Sequence, residues 1–281
     1  DALPIWIWTI YLALTLACIL AYFLAGMNVF DSINYAMTTT ATGGFSTHND
    51  SIGFFRSPSI EYVSIVFQFL AGINFTVLYL VLFKRQLRAI VRNSEFRLYI
   101  MLVLIATAWI AYLLMTRNGY GLERAFRSSL FQVVSFMTTT GIFSDDAAMW
   151  PHITWVILAL CMFIGACSGS TTGGFKCVRG VMLLKVLRNE FRRNLHPNAV
   201  LPVKINGLPV EQSRLTTLLS FFTIYTLMII FTTTLMIVAD IDNTNAITIA
   251  LSCMSNVGPS LSTQIGPEIS WGMLPVHIKW A

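Results

Sequence analysis

The sequence predicts an all-α integral membrane protein of repeated units with re-entrant helices, and three observations lead to that fold class. The chain has 281 residues, of which 56% are hydrophobic and only 11% are charged, whereas soluble domains carry about 25% charged residues. Apolar runs long enough to cross a bilayer alternate with shorter runs that cannot cross it. Each short run ends in a turn of Thr, Ser, Asn or Gly, which predicts a helix that dips into the membrane and returns.

The first unit begins with a predicted span over residues 4–27, which is long enough to cross the bilayer with some tilt. Asp31-Ser32 is the predicted N-cap of a short helix over residues 33–39. That helix runs into the turn Thr40-Ala41-Thr42-Gly43-Gly44-Phe45. Residues 62–83 are then predicted to cross back.

A basic loop at residues 84–97 sets the orientation of the next span. Its basic residues are Lys84, Arg85, Arg88, Arg92 and Arg97. Glu95 is the only acid there. Because basic loops stay in the cytoplasm, the span at 98–115 is predicted to run outward. Residues 122–137 form the second short helix, which runs into Thr138-Thr139-Thr140-Gly141-Ile142-Phe143.

A break is predicted in the long apolar segment at residues 151–187. As one helix this segment would be roughly 55 Å long, against a bilayer core of roughly 30 Å. Residues 165–174 contain four Gly and four Ser or Thr, a composition that disfavours helix. The segment is therefore predicted to be interrupted there and to resume toward the cytoplasm.

The last part of the chain repeats the same pattern. Residues 215–239 are predicted to run outward, residues 244–254 form the third short helix, and Ser255-Asn256-Val257-Gly258-Pro259 is its turn. The predicted divisions are a unit at 1–83, a cytoplasmic loop at 84–97, a unit at 98–188, a cytoplasmic connector at 189–212 and a partial unit at 213–281.

The three turns offer carbonyl and hydroxyl oxygens without charge, which is what a dehydrated monovalent cation needs. No Asp, Glu, His or Lys is predicted inside the spans, so passive permeation is favoured over a proton relay. An acidic outer mouth that concentrates cations is predicted, with ordinary loop solvation as the alternative. Its acids are Asp31, Asp50, Glu61, Glu123, Asp145, Asp146, Asp240, Asp242 and Glu268.

Other functional classes receive less support from the sequence. A membrane enzyme would need an ionisable pair within the spans, and none is predicted there. A purely structural or regulatory membrane subunit stays open as an alternative. The net charge of +5 comes from short loops between spans, so it indicates topology and not nucleic acid binding.

Four stretches of the sequence occur in a characteristic order. They are Thr42-Gly43-Gly44-Phe45-Ser46-Thr47-His48, Thr138-Thr139-Thr140-Gly141, Ser168-Gly169-Ser170-Thr171-Thr172-Gly173-Gly174-Phe175-Lys176 and Ser255-Asn256-Val257-Gly258-Pro259. Together they resemble the Trk/Ktr/HKT superfamily of potassium transporters, and within it the bacterial TrkH-type family. The resemblance implies four membrane-pore-membrane repeats around a pseudo-fourfold axis. This chain would hold the second, the third and the start of the fourth.

The resemblance also implies a function and partners. Potassium would be the transported ion, taken up across a bacterial inner membrane, with no organic cofactor. A homodimer, contact with membrane lipid and a cytosolic nucleotide-binding regulatory subunit are implied as well. Each turn has a single aligned Gly in place of the longer potassium-channel signature. Sodium transport, mixed sodium and potassium transport, or a non-conducting subunit is therefore the alternative.

The family's functional positions can be carried over to this chain one by one. The implied ion-binding carbonyls belong to Thr42, Gly43, Gly44, Thr139, Thr140, Gly141, Asn256, Val257 and Gly258. The implied intramembrane gate contains Gly165, Ser168, Gly169, Ser170, Thr171, Thr172, Gly173 and Gly174. Lys176 and Arg179 are candidates for coupling to the cytosolic partner. We call the three turns filter loops 1, 2 and 3, and residues 165–174 the gate loop.

Overall fold

The computed structural model describes residues 3–145, 147–196 and 201–261. The predictions on Asp146, on Glu268 and on the end of the last unit lie outside these residues. The helices are α1 Leu3–Leu24, α2 Val29–Thr40, α3 Pro58–Ala71, α4 Phe75–Leu82, α5 Leu87–Arg92, α6 Ser94–Arg117, α7 Leu122–Met137, α8 His152–Ile164, α9 Cys177–Leu195, α10 Gln212–Val238 and α11 Asn243–Ser255. Strands β1 Lys204–Ile205 and β2 Leu208–Pro209 form a small antiparallel hairpin.

Helices α1, α6 and α10 are long and apolar enough to cross a membrane, as the hydrophobic runs predicted. Each packs against the short helix that follows it, so that α1 contacts α2, α6 contacts α7, and α10 contacts α11. The short helices also contact neighbouring units, with α7 against α3 and α11 against α8. The repeated unit is therefore a long helix paired with a short one.

The core of the molecule lies around the short helices. Along α7, buried apolar side chains line nearly the whole circumference, namely Phe131, Val133, Val134, Phe136 and Met137. The long helices instead expose apolar side chains such as Ile224 and Leu227 of α10. Such faces are stable in contact with lipid tails, which are as apolar as the side chains themselves. The turn after α7 is buried, whereas Gly43 and Phe45 after α2 and Asn256 and Gly258 after α11 are exposed.

The predicted crossing over residues 62–83 is not one continuous helix. The structure has two helices there, α3 and α4, and they meet at an angle of 100°. Gly72 ends α3, and Asn74 caps α4 by accepting a hydrogen bond from the Thr76 N–H at 2.9 Å. The apolar run at 62–83 is long enough to cross the bilayer, and only Gly72 and Asn74 indicate a break in it. The break was therefore not predicted from the sequence.

Two helix starts also differ from the prediction. Asn28, not Asp31-Ser32, caps α2, because the Asn28 side chain accepts the Asp31 N–H at 2.7 Å. Helix α6 begins at Ser94 instead of residue 98, and it carries Glu95 in its first turn. Glu95 is 5% exposed. The helix thus extends into the stretch that was predicted to be a loop, and the acid of that stretch is buried.

Candidate functional site

The three filter loops have the same unusual backbone. The first of the three predicted ion-binding positions of each loop is left-handed, with φ of 52° at Thr42, 53° at Thr139 and 58° at Asn256. Two residues later each loop has a Gly with positive φ, namely 75° at Gly44, 77° at Gly141 and 102° at Gly258. A β-branched Thr in the left-handed region is a genuine outlier. Strain of this kind costs about 1–3 kcal/mol and is concentrated at functional sites.

Hydrogen bonds to the preceding helix explain how the left-handed residues are held. The N–H of the next residue reaches back to a carbonyl five positions earlier, as in a Schellman cap. The donor and acceptor pairs are Gly43 to Thr38 at 2.8 Å, Thr140 to Ser135 at 2.9 Å, and Val257 to Ser252 at 2.9 Å. The three short helices therefore end in the same way, and the filter loops are structural equivalents.

The filter loops contact one another in sequence order. A Cβ atom on Gly44 would overlap the carbonyl oxygen of Thr140 in filter loop 2. A Cβ atom on Gly141 would overlap the carbonyl oxygen of Val257 and lie 2.7 Å from Pro259 Cδ in filter loop 3. Close approach and positive φ together require Gly at both positions. The three turns, far apart in sequence, meet at one place.

Two of the filter loops are also tied at their outer ends. The Ser135 hydroxyl donates to the Ile142 carbonyl at 2.5 Å, and the Ser252 hydroxyl donates to the Pro259 carbonyl at 2.8 Å. Thr38 occupies the equivalent position before filter loop 1, and its hydroxyl is buried without a hydrogen-bond partner. Filter loops 2 and 3 are thus held more firmly at that end than filter loop 1.

The gate loop lies between α8 and α9, where the break was predicted, and its base is closed by backbone contacts. The Phe175 N–H donates to the Phe163 carbonyl at 3.1 Å, and the Cys177 N–H donates to the Ala166 carbonyl at 2.9 Å. Gly165, with φ of 68°, packs so closely that a Cβ atom there would lie 2.8 Å from the Gly173 oxygen. The two ends of the gate loop are therefore held side by side.

The tip of the gate loop contacts all three filter loops. The Thr42 hydroxyl donates to the Thr171 carbonyl at 3.0 Å, and the Gly173 N–H donates to the Thr139 hydroxyl at 2.6 Å. A Cβ atom on Gly173 would overlap the Ser255 carbonyl oxygen beside filter loop 3. The left-handed Thr residues of filter loops 1 and 2 thus use their side chains to bind the gate loop.

A family model described as a TrkH cation transport protein matches residues 3–271. This chain belongs to that family. The TrkH potassium uptake protein of Escherichia coli K12 is 35% identical over 272 residues, covering 94% of this chain and 56% of that protein. TrkG of the same organism is 34% identical over 252 residues, covering 90% and 52%.

A solved structure of the potassium transporter TrkH from Vibrio parahaemolyticus matches with a TM-score of 0.91 at 33% identity. The match covers 97% of this chain and 58% of the solved one. The chain spans about half the length of the curated relatives it matches. It is a multi-pass helical protein of the bacterial inner membrane, in a family of transport proteins and not of enzymes.

Within this family fold, the gate loop also contacts the break between α3 and α4. The Cys167 N–H donates to the Gly72 carbonyl at 3.1 Å, and the Phe75 N–H donates to the Gly169 carbonyl at 3.0 Å. Non-helical backbone at membrane depth is stable only where protein or water satisfies it. The gate loop and the short break therefore satisfy each other's backbone groups.

The two coupling candidates, Lys176 and Arg179, bind within the chain. The Lys176 ammonium donates to the Thr172 carbonyl and lies 3.1 Å from the Thr172 hydroxyl. Arg179 donates to the Phe175 carbonyl at 2.9 Å, and its guanidinium lies 4.2 Å from the centre of the Phe221 ring. Both cations thus hold the return of the gate loop into α9. Contact with a cytosolic partner stays a prediction.

Sequence reasoning missed the contact between Glu95 and the gate loop. One oxygen of its carboxylate accepts the N–H of Ser168 and, at 3.1 Å, the N–H of Val178. These two donors lie on either side of the gate loop tip. The available signal was that Glu95 is the single acid in a basic stretch.

Several acids of the predicted outer mouth are engaged with other side chains. Arg127 bridges Glu61 at 3.1 Å and Glu123 at 2.9 Å, which joins α3 to α7. Arg124 lies 3.6 Å from Asp145. These pairs orient the helices around the mouth and reduce the charge that the carboxylates present to solvent.

Asp31 belongs to a separate cluster near the start of α2. Burial acts to raise the pKa of Asp31, but hydrogen bonds from Thr47, His48 and Asn28 outweigh it, so the pKa lies below its usual value. The carboxylate is therefore ionised and fixed at the start of the helix that leads to filter loop 1. A negative charge is stabilising at that end of a helix.

Proposed function

We propose that the complete protein takes up potassium across the membrane through a channel-like path lined by the three filter loops. The observation that carries the proposal is the meeting of three uncharged loops that share a left-handed residue and a positive-φ Gly at the ends of three short helices. The names of the relatives, potassium uptake proteins, support the choice of ion.

The physical basis is replacement of the ion's water by backbone oxygens. The carbonyls assigned to this role are those of Thr42, Gly43, Gly44, Thr139, Thr140, Gly141, Asn256, Val257 and Gly258. Each short helix also directs its C-terminal end, with its partial negative charge, toward its filter loop, which favours a cation there. Carbonyl dipoles and helix ends together attract a monovalent cation without a fixed charge to trap it.

The gate loop is assigned the role of a barrier beneath the filter loops. Its base is closed by backbone hydrogen bonds, whereas its tip is held by neutral hydrogen bonds that join Thr171 to Thr40 and Thr42, and Gly173 to Thr139. Each neutral hydrogen bond contributes only about 0.5–1.5 kcal/mol. The tip can therefore leave the filter loops at low cost while the base stays in place. The proposed partners are a cytosolic regulatory subunit, which would control this movement, and a second copy of the protein, with which it would form a homodimer.

Sodium or mixed transport is the second candidate. The observation behind it is the unequal middle position of the filter loops, which is Gly43, Thr140 or Val257. Unequal neighbours make the ring of oxygens less regular than four identical channel loops.

The substitution Gly141→Ala in the complete protein tests the filter. We expect rubidium uptake to fall by about tenfold or more, because a Cβ atom there would overlap the Val257 oxygen and strain the backbone. Gly121→Ala is the matched control, since a Cβ atom there meets nothing within 4 Å. Uptake is measured in proteoliposomes, and sodium competition separates the two ions.

Unchanged uptake and unchanged ion preference in Gly141→Ala would overturn the filter assignment. Wild-type protein that moves no ion at all would support a non-conducting subunit instead. Elution of both variants as folded protein in detergent confirms that a loss of uptake reflects the pore.

A further inference from the structure

Helix α9 begins directly after the gate loop, and it lacks a cap of its own. Lys176 occupies the N-cap position with φ of 77° and makes no capping hydrogen bond with its side chain. The first N–H groups of a helix have no partner within the helix. At the border of the membrane such groups need a partner from elsewhere in the protein.

Glu95 supplies that partner from α6. One carboxylate oxygen accepts the Val178 N–H in the first turn of α9, and the same oxygen accepts the Ser168 N–H before the gate loop tip. An anion at a helix N-terminus is favourable, and hydrogen bonds to a charged acceptor are about twice as strong as neutral ones. A single side chain thus binds the gate loop before its tip and the first turn of α9 after it.

The start of α6 fixes the carboxylate in place. The Asn93 side chain caps α6 by accepting the N–H of Glu95 at 2.9 Å and that of Phe96 at 3.1 Å. The next contact leads to the hairpin of β1 and β2, because the Ser94 hydroxyl donates to the Asn206 side chain at 2.9 Å. Glu95 therefore lies between the gate loop and this hairpin, which is part of the predicted cytoplasmic connector.

We infer that Glu95 is a positioning residue that holds the gate loop in its closed place beneath the filter loops. This inference rests on the gating role proposed above for that loop. With the carboxylate present, the segments at Ser168 and Val178 stay against α6, and the tip between them reaches Thr42 and Thr139. Without it, the base of the loop loosens and the tip leaves the filter loops more often.

Buried cysteines allow the position of the loop to be measured independently of transport. Cys167 and Cys177 lie in or beside the gate loop, whereas Cys18 and Cys161 lie in α1 and α8, and all four are buried. The experiment compares Glu95→Ala and Glu95→Gln with wild type in the complete protein. Cys253, which is exposed, is replaced by Ser throughout. Labelling by a thiol reagent is followed residue by residue with mass spectrometry.

In Glu95→Ala we expect labelling of Cys167 and Cys177 to accelerate by about tenfold, since hydrogen bonds to a charged group shift an equilibrium by about one to two decades. Labelling of Cys18 and Cys161 should not change. Glu95→Gln, which keeps the shape and an acceptor oxygen, should show a smaller acceleration. Glu190→Ala is the matched control, because Glu190 is exposed and pairs only weakly with Arg193.

Rubidium flux without a regulatory subunit should rise several-fold in Glu95→Ala. Unchanged labelling of Cys167 overturns the inference, and so does equal acceleration at all four cysteines, which would indicate general loosening. If wild-type protein carries no flux, the proposed function fails, whereas the labelling result still decides the role of Glu95.

Discussion

In the part of the chain that the structure describes, two apolar helical segments are interrupted, between α3 and α4 and between α8 and α9, and the sequences of these breaks differ greatly. Between α8 and α9 the interruption is rich in Gly, Ser and Thr, whereas between α3 and α4 it consists only of Gly72-Ile73-Asn74. The first was predicted from composition and the second was not. In the structure they contact each other through backbone hydrogen bonds. The comparison teaches that a short break needs no strong local signal when another loop satisfies its backbone.

The two breaks also differ in their contacts and packing. The long one hydrogen-bonds to filter loops 1 and 2 through Thr171 and Gly173. The short one is packed tightly, because a Cβ atom on Gly72 would lie 2.6 Å from the Tyr99 hydroxyl and 2.9 Å from Thr138 Cγ2. Gly72 therefore forms part of the support against which the gate loop rests.

The largest expected effect comes from Gly72→Ala, which would disrupt the packing around the break between α3 and α4. The added methyl group overlaps the Tyr99 hydroxyl, and overpacking of this kind costs about 1–3 kcal/mol. The free energy of unfolding should fall accordingly, measured as a lower midpoint of thermal unfolding in detergent.

Gly180→Ala in α9 is the control for this change, since the nearest atom to its Cβ would be 3.9 Å away. It should be neutral or stabilising by up to about 1 kcal/mol. Adding Tyr99→Phe to Gly72→Ala should recover part of the loss, because the clashing oxygen is removed. No recovery would show that the Tyr99 contact is not the cause.

A smaller effect is expected from Asn74→Ala, which tests whether the break between α3 and α4 supports the gate loop. The substitution removes the cap of α4, and such a loss costs about 1 kcal/mol. Because Asn74 also packs on Gly169, labelling of Cys167 by a thiol reagent should accelerate modestly. An unchanged unfolding midpoint together with unchanged labelling would contradict a supporting role.

The smallest effect is expected from Thr171→Val at the tip of the gate loop. The change keeps the shape but removes the hydroxyl that donates to the Thr40 carbonyl at 3.1 Å. One neutral hydrogen bond contributes about 0.5–1.5 kcal/mol, so rubidium flux should rise a few-fold with little change in stability. A fall in flux would argue that the tip promotes conduction instead of blocking it.

Part of the candidate site could be predicted before any tertiary contact was known. The second short helix was predicted at residues 122–137, and α7 is Leu122–Met137. The turns that follow the short helices and the break at 165–174 were also identified. The break at Gly72 was not predicted, because it lies in an apolar run long enough to cross the bilayer. The contacts of Glu95 were not predicted, because Glu95 lies in a stretch that was assigned to a basic loop.

The sequence by itself determined the membrane class, the long and short helices and the Gly-rich interruption. These follow from hydropathy, run length and helix propensity, which are properties of neighbouring residues. Only the tertiary structure decided that the three filter loops meet and that Gly72 ends a helix. It also decided that Glu95 binds backbone groups 73 and 83 residues away. Such contacts arise from the packing of distant segments, because buried backbone groups take whichever partner the fold places beside them.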